Sequence, residues 1–311
     1  WTPPLFSSSS ASPDFASSPP PDARPPSFRT SRSPGPSPIS DSSMEAGPSN
    51  SSSTPTQVPS VSMPPFHLCF FNSDFGFFSE PAGCGFASKA KYLFGRVSMR
   101  IKLVPGDSAG TVTAFYMNSD TKERRDELDF EFLGNRTGQP YTVQTNIYAN
   151  GQGNREQRVN LWFDPAAAFH RYSILWNHRH IVFYVDEVPV RVYPNNQGRG
   201  VAYPLAQPMG VYSTLWEADD WATRGGLEKI DWARAPFQTY YTDFDIEGCP
   251  VPGPAACAAD ARNWWEGAAF QGLTPAEARS YRWVRTNHMV YDYCTDKSRF
   301  PAAPRECALA V

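Results

Sequence analysis

The chain has 311 residues, a formal net charge of −3, 14% aromatic residues and six cysteines. That charge excludes the basic footprint of a nucleic-acid binder or of a protein drawn to an anionic membrane, and no apolar run approaches the ~20 residues of a membrane span. The length suits one large domain with additions. Much of the aromatic content serves a core, and the surplus of Trp and Tyr suits stacking on sugar rings.

Residues 1–65 are dominated by Ser and Pro, with few large apolar side chains and little periodicity. Such a segment buries too little apolar surface to offset its ordering entropy, so it reads as disordered. No apolar stretch follows a basic start, so it does not read as a signal peptide. The chain opens on Trp1 rather than Met, which reads as a fragment or an odd gene start. Asn50-Ser51-Ser52 is a sequon, but in such an arm the motif carries little information.

Strand signals dominate from 92 to 247. Val97, Met99, Ile101 and Leu103 alternate with Arg96, Ser98, Arg100 and Lys102. The alternation is strictest in Asp126-Glu127-Leu128-Asp129-Phe130-Glu131-Phe132. On a strand, Glu127, Asp129 and Glu131 share one face, and Leu128, Phe130 and Phe132 share the other, buried one. Three carboxylates in a row, with no Lys or Arg between them, repel one another. The chemistry that justifies such a row is acid–base or nucleophilic attack on a sugar. Retaining cleavage needs two carboxyls roughly 5–5.5 Å apart. Cα atoms four residues apart on a strand lie about 13 Å apart. Two long glutamates leaning inward on a concave face close much of that gap. Asp129, between them, is expected to hydrogen-bond the nucleophile and help hold two ionisation states apart. The competing readings are an exposed acidic strand or a calcium site, but calcium is usually wrapped by a loop.

Further along, Gln144 and Asn146 share a face opposite Val143, Thr145 and Ile147; amides that donate and accept suit sugar hydroxyls, while on the residues alone an ordinary solvent-facing polar strand is the commoner reading. Ile181–Val185 and 188–192 flank Asp186-Glu187, which reads as a hairpin. His178 and His180 lack nearby Cys or carboxylate partners in sequence, so they read as surface residues and no metal is expected. Many short strands at regular spacing indicate a β-sandwich. Thr274-Pro275-Ala276-Glu277 is a capping box with Pro at the first helical position. It predicts a helix to about Arg285, with Met289, Tyr291 and Tyr293 alternating as a strand after it. None of Cys69, Cys84, Cys249, Cys257, Cys294 and Cys307 shows a Cys-x-x-Cys spacing.

The segment at 126–135, Asp-Glu-Leu-Asp-Phe-Glu-Phe-Leu-Gly-Asn, resembles the active-site strand of plant xyloglucan endotransglucosylase/hydrolases of glycoside hydrolase family 16. The likeness runs from about Gly83 to Cys307. Its other blocks include Tyr92-Leu93-Phe94-Gly95, residues 102–116, Gln144-Thr145-Asn146, Arg155-Glu156-Gln157-Arg158, residues 219–226 and Tyr293-Cys294-Thr295-Asp296. The resemblance implies an all-β jelly-roll sandwich of two curved antiparallel sheets, with a short disulfide-bonded C-terminal extension that contains the helix and lengthens the groove. It implies a catalytic domain over 66–247 and the extension over 248–311. It implies Glu127 as nucleophile, Glu131 as acid/base and Asp129 as their neighbour. Glucan contacts fall on Gln144, Thr145, Asn146, Asn154, Arg155, Glu156, Asp220, Trp221, Gly225 and Arg299. Trp221 is expected to offer a flat face to a sugar ring or to pack its loop.

Disulfides Cys249–Cys257 and Cys294–Cys307 are implied, as is an N-glycan at Asn135 in Asn135-Arg136-Thr137. Both point to secretion, into the cell wall and apoplast. Cys69 and Cys84 have no counterpart in the family and are expected either to pair or to leave Cys84 a buried thiol. The implied partners are xyloglucan donor and acceptor chains, with no cofactor, no nucleic acid and no membrane, for a monomeric enzyme. The implied activity is transfer, with plain hydrolysis or a non-catalytic wall-binding role as the alternatives.

Two departures from the family stand out. Arg125 replaces the usual His, on the face of Glu127, where a fixed positive charge is expected to lower the nucleophile's pKa. About forty residues of strand-forming sequence that usually precede Gly83-Cys84-Gly85-Phe86-Ala87-Ser88-Lys89 are replaced by Ser/Pro-rich sequence. That loss is expected to uncover sheet edges and core side chains.

Overall fold

The computed structural model describes residues 60–63, 76–80, 83–254 and 256–309, the first two segments by their backbone only. Most of the Ser/Pro-rich arm, the sequon at Asn50 and Cys69 lie outside the described residues. The strands are β1 (Ser60–Met63), β2 (Gly76–Glu80), β3 (Gly83–Lys102), β4 (Thr111–Asn118), β5 (Glu127–Leu133), β6 (Thr142–Tyr148) and β7 (Gln157–Asn160). They continue with β8 (His170–Trp176), β9 (His180–Val185), β10 (Val188–Pro194), β11 (Met209–Glu217), β12 (Phe237–Val251) and β13 (Met289–Asp292).

Strand β3, 20 residues long, is shared by two antiparallel layers. Its first part pairs with β2 and β11, and from there the layer continues through β4, β5, β6 and β7 to β13. Its second part pairs with β8 and β12, and that layer runs on through β9 to β10. The alternation read from the sequence is what packs the layers together. Leu128, Phe130 and Phe132 of β5 are fully buried. Phe130 meets Tyr172 and Phe183 edge-on at 5.9 and 5.1 Å, and Phe132 meets Tyr172 at 4.5 Å. Rings in this T-shaped arrangement gain beyond their buried area. The opposite face of β5 is thereby forced outward.

The edges expected to be bare carry short strands. Backbone of β2 pairs with β3 from Gly76 opposite Ala87 to Glu80 opposite Gly83, and β1 pairs with β12. A sheet edge needs donors and acceptors rather than particular side chains, so a segment of unlike composition can occupy it. The expectation of disorder through residue 65 is therefore corrected at Ser60–Met63, which form a strand.

The hairpin turns at Asp186 and Glu187, whose φ values of 47° and 64° suit a two-residue turn between twisted strands. The helix α1 spans Pro275–Asn287, two residues beyond the predicted end. Its capping box is complete: Thr274 Oγ1 accepts from Glu277 N at 3.2 Å and Thr274 N donates to Glu277 Oε2 at 2.8 Å. The strand after it stops at Asp292, whose Oδ1 accepts from Cys294 N at 3.0 Å and caps a 3₁₀ turn over Tyr293–Thr295. Cysteines 249 and 257, and 294 and 307, are bridged. Cys84 is buried at the pairing of β3 with β11. His178 lies at the surface beside Glu266, but His180 is buried, correcting the surface reading. It begins β9 in an inward position, and burial lowers its pKa.

Candidate active site

Antiparallel register puts directly opposite residues on one face, so the pairing of β11, β4, β5, β6 and β7 lays out the open face in rows. The first row is Gly210, Asn118, Glu127 and Tyr148. The second is Tyr212, Tyr116, Asp129 and Asn146. The third is Thr214, Ala114, Glu131, Gln144 and Arg158, and the fourth begins with Trp216, Val112, Leu133 and Thr142. The three carboxylates of β5 thus stand in successive rows, each with at least one polar or aromatic neighbour on an adjoining strand.

Glu127 is held from two sides. Asn118 Nδ2 donates to its Oε2, and Arg125 Nε lies 3.2 Å from its Oε1. The Arg125 guanidinium in turn sits 4.1 Å from the centre of the Tyr148 ring, a cation–π contact that fixes its direction. Arg125 pulls the Glu127 pKa down, as expected, but burial is the larger influence and leaves it raised overall. The two groups expected to share a hydrogen bond, Asp129 and Glu127, do not: the contacts of Glu127 are with Asn118 and Arg125. Asp129 is buried, and burial first, then its two glutamate neighbours, hold its pKa well above the usual range.

Glu131 is wired differently. Gln144 Nε2 donates to Glu131 Oε2 at 2.5 Å, and Arg158 Nε donates to Gln144 Oε1 at 2.7 Å. Arginine can only donate, so it turns the amide oxygen of Gln144 outward and its NH₂ toward the acid. Burial pushes the Glu131 pKa up to about 7, with Glu156 and Glu127 adding to the rise and Gln144 and Arg158 opposing it. One carboxyl braced by a cation and an amide, and another carrying its proton near neutral pH, is the division that acid-assisted nucleophilic displacement requires.

The expected sugar contacts divide into those the face presents and those it does not. Asn154, Glu156 and Arg299 meet at one corner, with Arg299 donating to Glu156 Oε2 and to Asn154 Oδ1, both at 2.7 Å. Asp220, Trp221 and Gly225 sit together in the loop beyond β11, where Trp221 lies 6.0 Å from Trp216. That loop is tied to the end of β5, since Thr223 Oγ1 accepts from Gly110 N and donates to Gly134 O at 2.7 Å. Gly226, at φ 85°, passes so close to Asp220 O that a Cβ would lie 2.4 Å from it.

Four expected contacts serve other purposes. Thr145 faces the core, where its hydroxyl and carbonyl meet Arg191. Arg155 is buried, with its guanidinium on Glu306 at 2.7 Å and on two backbone carbonyls. Gln144 spends both ends of its amide within the Arg158–Glu131 relay, and the Asn146 oxygen accepts from Ile147 N and Arg155 N. Asn135 stands partly exposed in the loop after β5, its Nδ2 donating to Pro140 O. Sequence reasoning missed Asn118, Tyr116, Tyr148, Arg158, Tyr212 and Trp216. Only cross-strand register reveals them, and the one available signal was alternation extended from β5 to its neighbours.

A two-layer antiparallel sandwich with a row of carboxylates on its open face has the architecture of a carbohydrate-active enzyme. Residues 61–234 match the family described as glycosyl hydrolases family 16, and residues 259–307 match the xyloglucan endo-transglycosylase (XET) C-terminus. The chain is 76% identical over 230 residues to the probable xyloglucan endotransglucosylase/hydrolase protein 7 of Arabidopsis thaliana, covering 74% of this chain and 78% of that protein. It is 75% identical over 228 residues to probable protein 6 of the same plant, covering 73% and 78%. It is 56% identical over 235 residues to xyloglucan endotransglucosylase protein 6 of Diospyros kaki, covering 73% and 78%. The chain belongs to glycosyl hydrolases family 16, in its xyloglucan endotransglucosylase/hydrolase group.

Proposed function

We propose that this enzyme cuts the β-1,4-glucan backbone of xyloglucan with retention and passes the cut end to another xyloglucan chain. Glu127 attacks the anomeric carbon as its bond to the leaving oxygen breaks, and Glu131 gives that oxygen its proton. A glycosyl ester on Glu127 results. Glu131, now a carboxylate, takes the proton of an incoming sugar hydroxyl, whose oxygen displaces Glu127 with a second inversion. Asp129, between the two, resists a further negative charge and so keeps one proton within the cluster. The observation that carries this reading is the contrast on one strand face between Glu127, braced by Arg125 and Asn118, and Glu131, whose pKa lies near 7.

Transfer wins over hydrolysis only if the groove holds an acceptor well enough to outcompete water at about 55 M, which well-oriented groups can do. The Asn154–Glu156–Arg299 corner and the Asp220–Gly225 loop, with Trp221, hold the acceptor in this reading. The catalytic domain occupies 66–247 and the extension 248–311. Two disulfides suit an oxidising compartment, and with a glycan on Asn135 they fit a secreted monomer of the plant cell wall and apoplast. No helix among the described residues is long and apolar enough to cross a membrane.

The test is incubation with xyloglucan, with and without a labelled oligosaccharide acceptor. The reading predicts label entering polymer much faster than new reducing ends appear. Equal release of reducing ends with and without acceptor, and no label incorporated, would make the enzyme a hydrolase.

A further inference from the structure

One cation in the molecule is out of place by ordinary rules. Arg191, on β10, is 1% exposed. Its Nη1 donates to Thr145 O at 2.8 Å and to Thr145 Oγ1 at 3.1 Å, and the guanidinium lies 5.8 Å from the centre of the Tyr293 ring. The acids nearest to it are engaged elsewhere: Asp292 pairs with Arg285 at 2.9 Å and Glu306 with Arg155 at 2.7 Å. A buried charge without its own counter-ion is costly, and arginine does not escape that cost by losing its proton. An apolar side chain of similar length would be tolerated in such a place, often with a gain in stability. Fold stability therefore does not account for Arg191.

Its position does. Thr145 lies between Gln144 and Asn146 on β6, directly opposite Phe130 of β5. Gln144 braces Glu131, and Asn146 stands opposite Asp129. Arg191 thus grips, from the core side, the peptide whose other side carries the partners of the acids. Its far surroundings belong to the C-terminal extension: a cavity of about 130 Å³ beside it is lined by Tyr281, Asp292 and Tyr293, together with Gln157 of β7. Along with Arg125, Arg191 is one of two cations that pull against the raised pKa of Asp129.

We infer that Arg191 is a positioning residue of the reaction: it is the counter-charge beneath the carboxylate row and the clamp on β6, and it couples the C-terminal extension to the active face. The inference rests on the assignment of Glu127 and Glu131 as the reacting pair. The groups that face this row are Arg125, Tyr148 and Asn118 at Glu127, Tyr116 and Asn146 at Asp129, and Gln144, Arg158 and Glu156 at Glu131. None of them is substituted when Arg191 is changed, but Gln144 and Asn146 are held through Thr145, so Arg191→Lys, which keeps the charge, is needed to separate loss of charge from movement of β6.

The experiment compares Arg191→Met and Arg191→Lys in the full chain, measuring melting temperature, acceptor KM and the pH profile of kcat/KM. Glu127→Ala and Glu131→Gln serve as controls. Loss of the charge in Arg191→Met should raise the Asp129 pKa further and so move the acid limb of the profile upward without lowering the melting temperature. Arg191→Lys keeps the charge and loses the paired donation, so its acid limb should match the wild type while its acceptor KM rises severalfold. If Arg191→Met lowers only the melting temperature and leaves the profile in place, the residue is structural and the inference fails. Should Arg191→Met not fold, Arg191→Lys decides alone, and a wild-type acceptor KM overturns the inference. Near-normal activity in Glu127→Ala would instead overturn the assignment on which the inference rests.

Discussion

Replacing Glu131 by Gln separates the chemistry of the acid from its effect on the fold. Burial raises the Glu131 pKa from 4.5 to about 7. At ~1.4 kcal/mol per unit this rise amounts to about 3 kcal/mol. The sign follows from which state holds the proton more tightly. Below pH 4.5 both folded and unfolded chains carry it, and Glu131 has no effect. Between 4.5 and 7 the unfolded chain releases it first, so stability falls as pH rises. Above 7 both states are ionised and the full cost of burying the charge remains. Glu131→Gln keeps the Gln144 contact without a charge, so it should match the wild type near pH 4 and exceed it by about 3 kcal/mol at pH 8. For a domain of this size that is a melting temperature higher by about 6–12 °C. Transfer on xyloglucan should fall by about 10²–10⁴-fold, the usual contribution of a general acid, and by much less on a substrate with an activated leaving group. The assay is thermal unfolding at several pH values beside turnover on both substrates. A variant no more stable than the wild type at pH 8 would refute the claim that Glu131 is a buried, proton-retaining acid.

Three further outcomes follow from the same geometry. Arg125→Met removes the cation on Glu127, so the acid limb of kcat/KM should rise by about one pH unit, with little change in melting temperature because the pair is partly exposed. Trp221→Ala removes one face of the Trp216–Trp221 corner. It should raise the acceptor KM about tenfold, as befits the loss of one stacking surface, and weaken donor cleavage less; equal effects on both would assign the ring to loop packing. Thr274→Ala breaks the capping box of α1 and should lower stability by about 1 kcal/mol, read by denaturant unfolding, without altering kcat.

The sequence disclosed what is periodic and local. Strict alternation through β5 put Glu127, Asp129 and Glu131 on one face before any coordinates, and the Phe130 and Phe132 contacts in the core show why that alternation is enforced. The capping box and the Asp186-Glu187 turn were legible for the same reason, since each is a few residues acting on their own backbone. What escaped notice depends on register between distant segments. Asn118, nine positions before Glu127, and Arg158, reaching Glu131 through Gln144, are unremarkable polar residues until the strands pair. Thr145 and Arg155 show the converse. They lie inside a recognisable block, yet one faces the core and the other holds the C-terminal extension. A motif records which residues go together and not which way each side chain points.

The central claim is that Glu127 forms the covalent bond to the sugar. The most direct measurement is the mass of the chain after reaction with a xyloglucan donor oligosaccharide lacking any acceptor, quenched by acid and digested. The account predicts a glycosyl adduct on the peptide containing Glu127, absent from Glu127→Ala and discharged when acceptor is added before the quench. An adduct on any other residue, or full transfer activity in Glu127→Ala, would contradict it.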